Sequence, residues 1–163
     1  MNKRTHTNSE DKMKKDICDD EILKCITEVF EKQKTGVLAT SGDDGPYQSL
    51  VAFTVLPGLR EIVFATDKNT TKFRNIKKSR EVSLLIDNRT EKLYDFRNIV
   101  VVTAVGDASE VEDIFEEGPG REYMKCHPLL GEKFLTETSA LINIKVKKYI
   151  VVSAFDDVRE FHP

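Results

Sequence analysis

The sequence predicts a mainly β protein, an antiparallel β-barrel decorated by helices. Three observations lead there. Short runs of β-branched and aromatic residues, at least seven of them, recur from Gly36 onward. Turn residues such as Asp44-Gly45 and Pro57-Gly58 separate the early runs. Helical periodicity is confined to a few segments, one of them a crossover after the third strand. The 163 residues amount to one domain, and 39% hydrophobic residues suffice for a core.

The first 16 residues, MNKRTHTNSEDKMKKD, are polar and lack the apolar stretch of a signal peptide, so a flexible lead-in is expected before a single domain over 17–163. Ile22, Ile26, Val29 and Phe30 then form a helical stripe, with Asp19, Asp20 and Glu21 where the positive helix end favours acids. The spacing predicts a helix over 19–33. Strands follow over 36–40, 47–56 and 61–66. Asn69 or Thr70 caps a short helix that packs Phe73 and Ile76 inward. Residues 81–87 and 99–106 are nearly continuous β-formers, as central or barrel strands are. Helices are expected over 109–117 and 128–136, broken apart by Glu117-Gly118-Pro119-Gly120, and strands over 140–146 and 149–155 complete the chain.

Composition excludes several function classes. Twenty-five basic residues against 28 acidic ones leave a net charge of −3, so no global basic field exists to capture nucleic acid. No apolar run approaches the roughly 20 residues that cross a bilayer. Cys18, Cys25 and Cys126 build neither a disulfide framework nor a C-x-x-C motif, which suits a reducing, cytoplasmic setting. No His or Cys cluster suggests a metal.

The junction Ala65-Thr66-Asp67-Lys68-Asn69-Thr70-Thr71-Lys72 is the most informative stretch. A strand end feeding a helix start gathers free N–H groups, two adjacent hydroxyls and a lysine, which suits a phosphate monoester. The same pattern also describes an ordinary cap with a solvated lysine. The Walker glycine spacing is absent.

Gly36-Val-Leu-Ala-Thr40, Asp44-Gly45-Pro46 with the run to Ala52, Phe64-Ala65-Thr66, Thr70-Thr71-Lys72, the run Arg80 to Ile86 and Gly106-Asp107-Ala108 follow one another in an order. That ordered set resembles the pyridoxamine 5'-phosphate oxidase-like, FMN-binding split-barrel proteins over about residues 36 to 110. The resemblance implies a split β-barrel that forms a homodimer, with one FMN in each of two clefts at the subunit interface and hydride transfer through the flavin N5. It puts Ser49, Leu50, Val51 and Ala52 on the strand along which the flavin lies, and Ala65 and Thr66 beside the ribityl chain and ring. It has Thr70, Thr71 and Lys72 hold the phosphate. Asn88 and Asn98 would meet the polar edge of the ring.

The departures from the family pattern are specific. Ser49, Thr54 and Thr71 are neutral where the oxidases carry basic residues. The oxidases' substrate-gripping Arg and His cluster and their closing Arg-Leu-x-Pro tail have no counterpart, and the chain ends Glu160-Phe161-His162-Pro163. An FMN oxidoreductase that does not oxidise pyridoxamine phosphate is therefore expected, with its substrate and any catalytic side chain unassigned. The alternative is a non-enzymatic module of the same barrel holding haem or a deazaflavin. His127 would be the haem ligand, against the plainer reading of a surface-loop histidine. Lys77, Lys78 and Arg80, and the acids Glu110, Glu112, Asp113, Glu116 and Glu117, read as solvated faces.

Overall fold

The structure is a computed structural model that describes residues 7–89, 98–112, 118–130, 136–154 and 157–163, with side chains from Asp19 onward. Its elements in chain order are α1 (Thr7–Lys32), β1 (Thr35–Gly42), β2 (Gly45–Val55), β3 (Glu61–Asp67), α2 (Thr71–Lys78), β4 (Glu81–Asp87), β5 (Val100–Val111), α3 (Pro119–Cys126), β6 (Ser139–Ser153) and β7 (Asp157–Phe161). Among the described residues no helix is long and apolar enough to cross a membrane.

The strands lie in the order β3-β2-β1-β4-β5-β6-β7, and β3 also pairs with β6. That last pairing closes β1 to β6 into an antiparallel barrel. Inward-facing residues alternate along each strand and fill it with Leu38, Phe53, Phe64, Leu84, Ile86, Ala104, Ile142 and Ile144. Helix α1 lays Ile22, Ile26, Val29 and Phe30 onto this core, as its stripe predicts. It starts at Thr7 rather than near residue 19, so much of the expected lead-in is helical. Residues 7–16 carry no apolar stripe, so periodicity alone does not reveal them. Residues 1–6 lie outside the described residues.

The largest differences from the expected elements fall in the second half. The strand over 99–106 continues to Val111, so residues 109–111 are strand rather than helix, and 113–117 lie outside the described residues. Glu110 is accordingly no solvated helix residue. It pairs with Lys68 at 2.9 Å and Lys77 at 2.6 Å, tying α2 to β5, while Lys78 pairs with Asp43. Gly118-Pro119-Gly120, expected to break the chain, opens α3 with Pro119 in its first turn, where a missing N–H costs nothing. Residues 128–130 are helical, and the rest of the expected 128–136 helix lies outside the described residues save Thr136.

The two expected final strands are one. β6 runs 15 residues, pairing with β3 along its first part and with β7 along its last. Phe155 lies outside the described residues, and the seventh strand is the polar edge β7. A register shift between Val105 and Gly106 leaves Lys147 as the extra residue of a bulge, which bends β6. Gly106 allows that bend. A Cβ there would stand 2.2 Å from the Lys145 carbonyl oxygen, which belongs to the backbone and cannot swing aside. Gly106→Ala is expected to destabilise the fold by about 1–3 kcal/mol, lowering Tm by roughly 2–4 °C per kcal/mol. A thermal melt within about 1 °C of the parent would refute this.

Candidate functional site

The barrel opens between β2 and β3. These strands pair only over residues 53–55 and 62–64, with Phe53 opposite Phe64 and Val55 opposite Ile62. Leu56 N–H donates to the Glu61 carbonyl at 2.9 Å, so the bonded positions fall at Leu56/Glu61 and Thr54/Val63. The next bonded pair in that series is Ala52/Ala65, and the ladder stops before it. Main-chain groups of Leu50, Ala52 and Ala65 are therefore turned toward the gap without a strand partner.

A groove of ≈ 410 Å³ occupies this split, lined by Leu50, Val51 and Ala52 on β2, Ala65, Thr66 and Asp67 on β3, Thr70 and Lys72 at the start of α2, and Thr35, Tyr123 and Leu130. Thr70 is the N-cap of α2. Its hydroxyl donates to the Asp67 carbonyl at 2.7 Å and accepts from Phe73 N–H at 3.4 Å. Thr66 Oγ1 stands 3.1 Å from it. The first-turn N–H groups of Thr71 and Lys72 have no intrahelical acceptor, and they give this end of the groove a positive potential.

Lys72 adds to that potential. It is half-buried, no carboxylate among the described residues pairs with it, and burial pushes its pKa down. Asp67 is the nearby acid, and it is already held. Thr138 donates to its Oδ2 and Asn69 N–H to its Oδ1, both at 2.7 Å, which keeps the carboxyl below its usual pKa range.

Helix α3 closes the groove from outside. Tyr123, 2% exposed, sets its phenol oxygen against the Ala65 main chain without a well-aligned hydrogen bond, and burial pushes its pKa up. Its ring lies 4.8 Å from that of His127. His127 is not a surface-loop residue: it caps the C-terminus of α3, is buried, and sets Nε2 2.9 Å from the Phe53 carbonyl. One turn of helix thus grips β2 and β3 on both sides of the split.

Seven of the residues expected at a site come together here: Leu50, Val51, Ala52, Ala65, Thr66, Thr70 and Lys72. Ser49 shares the face of Leu38, its register partner, and its hydroxyl is buried without a partner among the described residues. The Thr71 hydroxyl accepts from Arg74 at 3.1 Å, beside the groove rather than in it. Asn88 accepts from Val100 N–H at 2.9 Å and donates to the Asn98 carbonyl at 3.0 Å, so it joins the end of β4 to the start of β5. Both asparagines stand outside the groove lining of this chain. Sequence reasoning missed Tyr123, Thr35 and Leu130. Pro119 following Gly118 was the available signal for α3, and the bare pattern reads equally as a break.

The groove continues onto an apolar outer sheet face. Leu50, 70% exposed, stands opposite Val37, and Val37 opposite Leu85, 36% exposed, so three adjacent strands present one row to solvent.

Chemically, this arrangement suits a flat ligand that hydrogen-bonds to strand edges and carries an anion at Lys72. Among the described residues no acid and base stand poised as a pair in it.

Known proteins agree with the architecture. The sequence profile of pyridoxamine 5'-phosphate oxidase matches residues 22–150. No curated protein matches the sequence. Similar solved structures include a haem-binding protein from Mycobacterium smegmatis, with a TM-score of 0.68 and 16% identity over 82% of this chain and 55% of that one. The chain thus spans about half of that protein's length. General Stress Protein 26 from Bacillus anthracis matches with a TM-score of 0.60 and 22% identity over 86% of this chain and 97% of its own. An FAD-binding protein from Mesorhizobium loti gives a TM-score of 0.59 and 17% identity over 80% and 90%. With the profile spanning most of its length and the split barrel in its structure, the chain belongs to the pyridoxamine 5'-phosphate oxidase family.

Proposed function

We propose that the groove binds FMN and that a homodimer of this chain is the working unit of a flavin-dependent oxidoreductase. The observation that carries this reading is Lys72: a half-buried cation without a counter-ion among the described residues, at a helix N-terminus, where two strand edges diverge. A phosphate monoester fits that end, with charge-assisted bonds from Lys72 and the first-turn N–H groups. The strand edges at Leu50, Ala52 and Ala65 offer donors and acceptors to a planar ring. When bound, the flavin supplies hydride exchange at N5. The chain's own part is to hold the phosphate, orient the ring along β2 and shield one of its faces with Tyr123 and Leu130.

The dimer follows from what one chain leaves open. The row Leu50, Val37 and Leu85 borders the groove and is suited to cover by a second copy, which would supply the remaining wall of the ring site. Haem is less well served. The Nε2 of His127 is committed to the Phe53 carbonyl, so this histidine does not present it to an iron. A deazaflavin would use the same strand edges, and competition against FMN separates the two.

The purified protein should be yellow, with a flavin spectrum and about one FMN per chain. A colourless protein that takes up no added FMN, or one with a haem Soret band, would overturn the proposal. Binding should also depend on pH with a defined sign. Burial lowers the Lys72 pKa in the free protein, and a phosphate dianion raises it in the complex, so binding favours the protonated amine. FMN affinity is full below the free-state pKa and falls as pH rises through it toward the complexed value. Titrations over the alkaline range should show this loss, and Lys72→Met should abolish the dependence.

A further inference from the structure

Lys72 is the second residue of α2, directly after the Thr70 cap and Thr71. A cation at that place faces the positive end of the helix, which opposes its charge. No acid stands in the first turn to offset this. Half-burial adds a second penalty, because the charged amine loses water, and it pushes the pKa down. Both effects favour the neutral amine, and a neutral lysine amine is a nucleophile.

The neighbouring lysines are placed differently. Lys68 and Lys77 share the Glu110 carboxylate, and Lys78 pairs with Asp43. The side chains of Lys77 and Lys78 are 55% and 56% exposed, so solutes reach them easily, yet both are tied up in ion pairs. Lys72 has no carboxylate partner among the described residues, and it lines a groove large enough to hold a small reactant.

We infer that Lys72 is a site of acylation by small acyl phosphates, and that its acylation weakens FMN binding. This rests on the phosphate reading of the groove, since the donor's phosphoryl group would enter where that of FMN does. The neutral amine attacks the acyl carbonyl carbon, and the bond from that carbon to the phosphate oxygen breaks. Orthophosphate leaves, water takes the proton from nitrogen, and the product is an uncharged amide. The two uses of the amine oppose each other: FMN binding needs it protonated, and acylation needs it neutral.

The test treats the full chain with acetyl phosphate, with and without FMN, and follows each lysine by peptide mass spectrometry. Without FMN, Lys72 should react about tenfold faster than Lys77 or Lys78, a modest gain for a neutral amine beside an oriented donor. Its rate should rise with pH and level off below about 10.4, the value for a free lysine. Excess orthophosphate or FMN should slow Lys72 and leave Lys77 and Lys78 unchanged. The acylated chain should bind FMN about 30-fold more weakly, the loss of one charge-assisted hydrogen bond to phosphate. Lys72→Arg keeps the charge and takes no acyl group, so the same treatment should leave its FMN affinity unchanged. Lys72 reacting no faster than Lys77 overturns the site, even where Lys72→Ala weakens FMN and so upholds the phosphate reading. Indifference to orthophosphate overturns the guidance of the donor by its phosphoryl group. Selective acylation with unchanged FMN affinity overturns the control of binding and the phosphate reading together, and a loss of affinity in treated Lys72→Arg overturns the assignment of that control to Lys72.

Discussion

Lys72→Ala is expected to raise the FMN dissociation constant about 30-fold, the equivalent of about 2 kcal/mol for a charge-assisted hydrogen bond to a phosphate. The size follows from the setting. Lys72 is half-buried and has no carboxylate partner among the described residues, so its charge is not spent within the protein. Arg74 makes a suitable control. Its guanidinium bonds to the Asn69 carbonyl at 2.7 Å and the Thr71 hydroxyl at 3.1 Å on the exposed side of α2. Arg74→Ala should change affinity by less than threefold. Fluorescence titration of FMN against the two variants decides the matter. Equal effects would assign the binding to diffuse charge, and no effect at Lys72 would remove the phosphate from this end of the groove.

Leu50→Asp should separate the proposed dimer. The side chain is 70% exposed in one chain, so the substitution leaves the barrel interior intact. At a two-fold interface it removes an apolar contact and places a charge in each copy. About 3 kcal/mol per copy, or about 6 per dimer, corresponds to roughly a 10⁴-fold weaker association. Sedimentation should show monomers with unchanged circular dichroism, and FMN should be lost with the dimer because one wall of its site goes with the partner. A dimeric Leu50→Asp protein would place the interface elsewhere. A monomeric one that still binds FMN tightly would show that the groove is complete within one chain.

The first half of the fold was legible in the sequence because its signals are local. Period-two runs bounded by Asp44-Gly45 and Pro57-Gly58 mark β1 to β3, and Thr70 caps α2 as its position predicts. The second half depends on partners distant in the chain. β5 extends through Ser109 and Glu110 because Asn143 and Ile142 stand opposite them, and acidic residues that look helical in isolation are held in the ladder by that pairing. The bulge at Lys147 likewise joins what looks like two strands into one, with Gly106 giving the room. α3 was obscured because its opening Gly-Pro-Gly serves a helix start as well as a break.

The candidate site divides along the same line. By itself the sequence determined a chain of strands with few helices, an apolar supply for one barrel, a capped helix carrying Lys72, and no basic field for nucleic acid. Each of these is a property of neighbouring residues or of composition. Only the tertiary structure decided that the β2–β3 ladder ends before Ala52 and Ala65, that Lys72 is left half-buried without a partner among the described residues, and that Tyr123 and His127 grip the two sides of the opening. Those features arise where hydrogen bonds between remote segments stop. No local pattern encodes where a ladder fails, because that depends on which strands compete for each edge.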